Sequence, residues 1–140
     1  MPAERVELRN AVERFERLLI DTCVLIDEFK RPTGRFQDIN RPQRATLIVA
    51  VWEFFHGHKG ALLSKVERRD RYAWLEEQDI VPLPLSVGAG EWFEKLLETE
   101  GPTQVADALL AAECLAQGIP LVTSNVRDFS EVTGLHYVAW

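Results

Sequence analysis

Residues 18–26 read LLIDTCVLI: an apolar run meets a carboxylate and a hydroxyl at Asp21 and Thr22 and then becomes apolar again. This pattern predicts a buried strand that turns into a helix. Residues 45–57 (ATLIVAVWEFFHG) repeat it, because a β-branched run continues into a short helix that Gly57 can end. Two strands that each lead directly into a helix are typical of an α/β domain.

The rest of the chain continues the same alternation. Apolar spacing predicts a largely exposed helix between residues 60 and 78, a short strand over 79–83 and another helix that Ser86 caps. An alanine-rich helix over 105–116, a strand over 119–123, a loop or short helix over 125–129 and a closing strand over 136–140 follow. We therefore expect an α/β fold with a parallel sheet covered on both faces. Ligands of such folds bind at the carboxyl ends of the strands.

The composition indicates a single folded domain. The chain has 140 residues, 46% hydrophobic and 27% charged, which argues against disorder and tandem domains. No apolar run approaches the roughly 18 to 20 residues that span a bilayer, and residues 2–9 lack the apolar core of a signal peptide. We expect a cytosolic protein without a membrane segment. Cys23 and Cys114 form no CxxC pair, so we expect reduced thiols and no thiolate zinc site.

The net charge of −6 is unevenly distributed along the chain. Residues 28–71 hold ten Lys and Arg against five Asp and Glu, whereas the remainder holds six against seventeen. The basic segment either faces an anion or forms an ordinary solvated surface. Linear counts leave both open, because they do not show which residues share a face.

Four carboxylates occupy unusual positions. Asp21 ends the first apolar run, Glu53 follows the second, Asp107 lies in the opening turn of the alanine-rich helix, and Asp128 follows the strand over 119–123. All four can reach one rim of one sheet. Converging carboxylates repel one another unless a divalent cation neutralises them. Carboxylate ligation suits Mg²⁺ or Mn²⁺ rather than zinc.

Each acid also has a purely structural explanation. Asp21 can cap the following helix, and Asp107 gains about 0.3–1 kcal/mol from the helix macrodipole. The macrodipole does not explain why Asp107 shares the core-facing stripe of its helix. Glu53 can pair with a buried base, and Asp128 follows Arg127 in a loop.

Four stretches resemble the PIN-domain ribonucleases, most closely the VapC-type toxins of toxin–antitoxin pairs. They are residues 18–26, 50–57, 106–112 and 121–129, and the likeness spans about residues 17–140. It implies a three-layer α/β/α sandwich on a mostly parallel sheet, with an acidic pocket that binds Mg²⁺ or Mn²⁺ and cuts single-stranded RNA. Residues 17–140 would form this domain, and residues 1–16 a helical extension that packs on the domain or contacts a partner.

The resemblance also assigns roles to residues. Asp21, Glu53 and Asp107 take the places of the first, second and third acids. Members carry the fourth acid either where Asn125 stands or where Asp128 stands; we predict Asp128. Thr22, Thr123 and Asn125 would support the site by orienting ligands or water. Cys23 departs from the usual Asn or Ser and removes a polar group from the edge of the pocket.

Two kinds of partner follow from the resemblance. The first kind is protein: an antitoxin that silences the enzyme, and a second copy of the chain in a homodimer. The other is RNA, whose phosphates need a locally positive surface on this acidic chain. We predict phosphate contacts at Lys30, Arg31, Arg35, Arg68 and Arg69. The basic groups to which these residues belong also include Arg41, Arg44 and Arg71. Taken singly, each is equally compatible with ordinary solvated charge.

Two other classes of function stay open. One is a non-catalytic interaction domain in which Cys23 and Asn125 mark a pocket that no longer holds metal well. The other is a Mg²⁺-dependent phosphatase with Asp21 as nucleophile, although the second acid expected two residues later is replaced by Cys23. Metal titration separates the interaction domain from the enzyme.

Several aromatic residues raise the question of a partner surface. Trp52, Phe55, Trp74 and Trp92 could form one if they were exposed. Their helical spacing instead favours positions in the core.

Overall fold

The computed structural model describes residues 2–56, 62–99, 102 and 104–140, so Gly57 and the helix end expected there lie outside it. The strands within this part of the chain are β1 (Glu4–Arg5), β2 (Leu18–Ile20), β3 (Arg44–Leu47), β4 (Val81–Leu83), β5 (Leu121–Thr123) and β6 (His136–Ala139). The helices are α1 (Leu8–Arg14), α2 (Thr22–Lys30), α3 (Ile48–Phe55), α4 (Lys65–Glu77), α5 (Ala89–Leu97), α6 (Val105–Gln117) and α7 (Val126–Phe129). Two 3₁₀ turns, Arg35–Asp38 and Arg41–Gln43, connect α2 to β3.

The described strands form one sheet in the order β1-β6-β5-β2-β3-β4, and every pairing is parallel. Ile20 of β2 lies opposite Thr46 on one side and Val122 on the other. Parallel strands need crossover helices, whose usual right-handed sense places α1 to α4 on one face and α5 to α7 on the other. The predicted three-layer α/β fold is confirmed. In this part of the chain, no helix combines the length and apolarity needed to cross a membrane.

Aromatic packing joins the helices of the first face. The ring of Phe29 on α2 lies 5.7 Å from Phe54 on α3 and 5.8 Å from Trp74 on α4, in edge-to-face geometry. The middle of the sheet is dry, because all residues of β2 and β5 are buried. Polar side chains at the sheet edge are therefore held against a rigid apolar core.

The boundary between β3 and α3 differs from the one that the sequence pattern predicts. Ile48 and Val49 belong to the β-branched run expected as strand, but the structure places them in the first turn of α3. Pairing of β3 with β4 ends at Leu47, and the helix buries Ala50, Val51 and Phe54. Burial of this face outweighs the small helical disadvantage of two β-branched residues.

The N-terminal residues contribute to the sheet as well as to a helix. Glu4 and Arg5 pair in parallel with His136 and Tyr137, a strand not expected from the sequence. The side-chain amide of Gln43 donates to the carbonyls of Val12 and Phe15, at 2.8 and 2.7 Å, which fixes the end of α1 to the domain.

Two arginines of the basic segment are structural. The Arg44 side chain, 2% exposed, donates to the backbone carbonyls of Ile39, Phe36 and Gln78. Arg71 is also buried; it donates to the Phe54 carbonyl at 2.8 Å and lies over aromatic rings. Neither guanidinium is therefore free to face an anion, although both residues belong to the basic groups from which the phosphate contacts were drawn. A charge count cannot separate an arginine that binds carbonyls from one that faces solvent.

Arg44→Ala should destabilise the fold by about 3 kcal/mol or more, since three carbonyls lose a charged donor inside the protein. Arg41→Ala is the control: Arg41 is half exposed and pairs with Asp79 at 2.9 Å, and such surface pairs contribute about 0–1 kcal/mol. Urea unfolding measures both free energies. Equal losses in the two variants would contradict the structural role of Arg44.

Candidate active site

Asp21 occupies the point where β2 becomes α2. Its backbone is extended, and its Oδ1 accepts a hydrogen bond from the Thr22 amide at 2.7 Å, so it caps the helix as one interpretation of the sequence expected. Capping does not account for its surroundings, because the side chain is only 4% exposed. The Asp21 amide in turn donates to the Val122 carbonyl at 2.9 Å, which ties this position to β5.

The second carboxylate oxygen of Asp21 has two further donors. The Thr123 hydroxyl, fully buried at the end of β5, donates to Oδ2 at 2.7 Å. The Cys23 thiol lies 3.3 Å from the same oxygen and donates to it. The expectation that Cys23 removes a polar group from the pocket was therefore wrong. Three donors from two elements fix the Asp21 carboxylate in one orientation.

Glu53 projects from α3 towards the same edge of the sheet. Its Oε1 accepts a hydrogen bond from the Thr22 hydroxyl at 3.0 Å, and the residue itself is exposed. The ion pairs formed by the described residues do not include Glu53, so pairing with a buried base does not explain its position. Thr22 thus links the first two acids: its amide binds Asp21 and its hydroxyl binds Glu53.

The remaining acids come from the other face of the sheet. Asp107 is half-buried in the first turn of α6. Asp128 lies on α7, and the side-chain amide of Asn125 donates to its Oδ2 at 3.0 Å. The Asn125 backbone amide donates to the Thr123 hydroxyl at 2.9 Å, so Thr123 connects Asp21 to the loop that orients Asp128.

Asp107 lies near enough to the other three acids to be affected by their charges. Burial is the largest cause of its raised pKa, the charges of Asp21, Glu53 and Asp128 add to it, and together they raise the pKa to about 6. Burial also raises the pKa of Asp21, outweighing the opposing effect of its hydrogen bonds from Thr123, Cys23 and Thr22. Burial and the Asp21 charge raise the pKa of the Cys23 thiol, which keeps it protonated as a donor.

This donor set has the chemistry of a site for a hard divalent cation. Four carboxylates supply oxygen ligands, which Mg²⁺ and Mn²⁺ prefer. Among residues 2–56, 62–99, 102 and 104–140, however, no three His, Cys, Asp or Glu side chains are already arranged to hold a metal ion. The acids are near enough to repel one another and still need side-chain rotation to share a ligand.

The predicted phosphate contacts do not form one patch. Lys30 and Arg31 lie at the far end of α2, about 14 Å or more along the helix from Asp21. The guanidinium of Arg35 stacks on Trp140 at 4.2 Å, which occupies it structurally. Arg68 and Arg69 are exposed on α4, and Arg68 lines a groove with residues of the helix that carries Glu53.

Trp52 is the aromatic residue whose position differs from the expectation. It is 57% exposed, whereas Phe55, Trp74 and Trp92 are partly buried against the core. The helical spacing correctly indicates core positions for its neighbours Val51 and Phe54, which are buried.

A model of the PIN domain family matches residues 18–135 of the chain. Among curated proteins, no relative matches the sequence.

Solved structures of toxin–antitoxin proteins have the same fold. One is VapBC2 from Rickettsia felis bound to a DNA fragment from its promoter, with 18% identity, a TM-score of 0.70, and coverage of 88% of this chain and 98% of that one. DNA-bound VapBC from Salmonella typhimurium has 20% identity and a TM-score of 0.71 over 88% and 97% of the two chains. VapBC-5 from Mycobacterium tuberculosis has 22% identity and a TM-score of 0.65 over 90% and 100%.

Asp107→Asn should stabilise the metal-free protein by about 1 kcal/mol at neutral pH, after allowance for solvent screening of a half-buried group. The pKa of Asp107 is higher in the folded protein than in the unfolded chain, so between these two values the folded state holds a proton that the unfolded chain has lost. Ionising Asp107 in the folded protein therefore costs folding free energy, and this cost grows as pH rises from about 4 through about 6. The advantage of the variant should therefore vanish near pH 4 and be complete above about pH 7.

Urea unfolding in a chelator at both pH values measures this difference. Asp27→Asn, at an exposed position of α2, is the control and should change stability little at either pH. A destabilised Asp107→Asn protein at neutral pH would show that the macrodipole contribution dominates and that the repulsion is weak.

Proposed function

The chain belongs to the PIN domain family, and from this premise we propose that it is a metal-dependent endoribonuclease that hydrolyses RNA phosphodiester bonds. One observation carries the proposal. Hydrogen bonds through Thr22 and Thr123 tie Asp21 to Glu53 and to the loop that orients Asp128, and the charges of these three acids add to the raised pKa of Asp107. A cluster of like charges at the carboxyl edge of a parallel sheet is costly in the absence of a ligand, and cation binding offsets that cost.

We assign the metal ligands to this cluster. Asp21, Asp107 and Asp128 would hold Mg²⁺ or Mn²⁺, while Glu53 would hold a second cation or orient the attacking water. A divalent cation bound there supplies water of lowered pKa and stabilises charge on the leaving oxygen. The absence of a preformed three-ligand arrangement among the described residues means that Glu53 and Asp107, the less constrained acids, would turn towards the ion.

The surrounding polar groups would position these acids. Thr123, Cys23 and the Thr22 amide hold both oxygens of Asp21, and the Thr22 hydroxyl holds one oxygen of Glu53. Such supporting contacts orient the side chains that bind a metal ion, and their removal changes metal affinity by about 10- to 100-fold. The phosphatase alternative is disfavoured because Cys23 stands where its second acid is expected, two residues after Asp21.

We further propose that a small antitoxin protein binds and silences the enzyme and that the chain forms a homodimer. Support comes from the similar folds, which were solved as VapBC toxin–antitoxin systems. The described surface also exposes large apolar side chains, including Val87 at 98%, Leu97 at 58% and Val105 at 59%. Exposed apolar groups of this size are common at protein interfaces.

Purified protein should cut a mixture of structured RNAs with Mg²⁺ or Mn²⁺, and a chelator should abolish cutting. Asp107→Asn should reduce the rate by at least about 100-fold, since it removes a metal ligand. Asp27→Asn should retain the wild-type rate. In the same assay, a cognate antitoxin should suppress cleavage when added in equal amount.

Cleavage that persists in the chelator or in Asp107→Asn would assign the activity to a contaminant or to a different site. The absence of both RNA cleavage and Mn²⁺ binding, the latter measured by calorimetry, would favour the non-catalytic interaction domain.

Thr123→Val should weaken Mn²⁺ binding by about 10-fold, because Asp21 loses its shortest side-chain donor. Thr46→Val is a matched control: Thr46 is equally buried on β3, and its hydroxyl donates to the Ile20 carbonyl at 2.7 Å. Both variants should lose about 1–2 kcal/mol of stability. Calorimetric titration distinguishes them, and equal Mn²⁺ affinities in the two variants would refute a positioning role for Thr123.

A further inference from the structure

An open groove lies between α3 and the start of α4, with a volume of about 270 Å³. Its walls combine aromatic, aliphatic and cationic side chains: Trp52, Phe55, His56, Leu62, Leu63 and Arg68. Trp52 is 57% exposed although its helix is otherwise strongly apolar. Keeping an indole in water forgoes the burial that stabilises its neighbours, and this suggests that the indole has a ligand.

The groove adjoins the carboxylate site. Trp52 and Glu53 are consecutive residues of α3, so their Cα atoms are about 3.8 Å apart. Glu53 is tied to Thr22 and through it to Asp21. A ligand on the Trp52 ring would therefore lie beside the acids to which the cleavage reaction is assigned.

The charge at the groove suits a polyanion. Arg68 lines it, and the exposed Lys65 and Arg69 lie on the same turns of α4, against the carboxylates Glu67 and Asp70. The ion pairs of the described residues do not include Arg68, so its guanidinium is available to a ligand. In a chain with a net charge of −6, this is a local reversal of sign next to the acids.

We propose that the groove is a nucleobase subsite, in which a base of single-stranded RNA stacks on Trp52 while Arg68 contacts its phosphate. This inference rests on the proposed ribonuclease function and names how its substrate is held. An aromatic face beside a cation fits a nucleotide, because every base has a π-face and a flanking phosphate. A polypeptide partner such as the proposed antitoxin would also bury the apolar wall, but it has no need of an aromatic face beside a cation, and the test below separates the two ligands.

The test is equilibrium binding of short single-stranded RNA to the Asp107→Asn protein in the presence of a chelator, measured by fluorescence anisotropy. In a set of otherwise identical oligonucleotides, each position in turn lacks its base. One abasic position should weaken binding by about 5- to 150-fold, the range for loss of base–aromatic stacking. Trp52→Leu in the same background should bind all the oligonucleotides equally weakly, whereas Trp52→Phe should keep the abasic dependence.

Arg68→Gln should act differently from the Trp52 variants. It should lower affinity for every oligonucleotide alike and reduce the slope of log affinity against log salt by about 0.7, the value for one lost phosphate contact on a single strand. Thermal unfolding shows whether each variant is folded. Because Trp52 is exposed, the Trp52→Leu variant should unfold at a temperature close to that of the Asp107→Asn protein from which it is made.

Two outcomes would overturn the subsite, and they separate it from the proposed function. If the wild-type protein cuts RNA but Trp52→Leu keeps the abasic dependence, the ribonuclease stands and the groove binds something else, such as a polypeptide. If the protein neither binds nor cuts RNA, both the subsite and the ribonuclease fail.

Discussion

The hydrogen bonds to the Asp21 carboxylate are the constraint on which the site depends. A carboxylate that is 4% exposed at the end of a central strand is unfavourable by itself. Three donors make it tolerable, and they come from α2 and from Thr123, the last residue of β5. The donors are in reach only because β2 and β5 pair directly and end at the same edge. The adjacency of these two strands is thus a requirement of the chemistry as well as of the fold.

The same edge concentrates repulsion, and Asp107 experiences most of it. Its pKa of about 6 results from partial burial and from three neighbouring carboxylates. In α6 it is an ionisable group beside the buried Leu110 and Ala111, at a position where an apolar residue would pack without cost. The free energy stored in this repulsion is available to any ligand that binds only the folded state and neutralises the charge. A site of this kind trades stability of the free protein for affinity.

Much of the frame could be predicted from local patterns. Each strand-to-helix transition places a polar residue at a known edge of a parallel sheet, and this property led to Asp21, Glu53 and Asp128. Asp107 was identified instead by its place on the core-facing stripe of its helix. The contacts between them could not be predicted, because Thr123 and Asp21 are 102 residues apart in the chain. The thiol of Cys23 was misjudged for the same reason: residue type suggested a lost polar group, whereas its position 3.3 Å from the Asp21 carboxylate makes it a donor.

The charge distribution shows why residue counts mislead about a polyanionic substrate. Arg44 and Arg71 are taken into the interior, and Arg41 and Arg35 are engaged by Asp79 and Trp140. Within the described part of the basic segment, the exposed cations left are Lys30 and Arg31 at the end of α2 and the three on the first turns of α4. The first pair is about 14 Å or more along the helix from Asp21. Long-range repulsion by the acidic remainder is screened beyond about 10 Å in salt, so the proposed RNA substrate would respond mainly to nearby charges. On the first turns of α4 the exposed cations outnumber the exposed acids by three to two, and this side is the one from which RNA would approach Glu53.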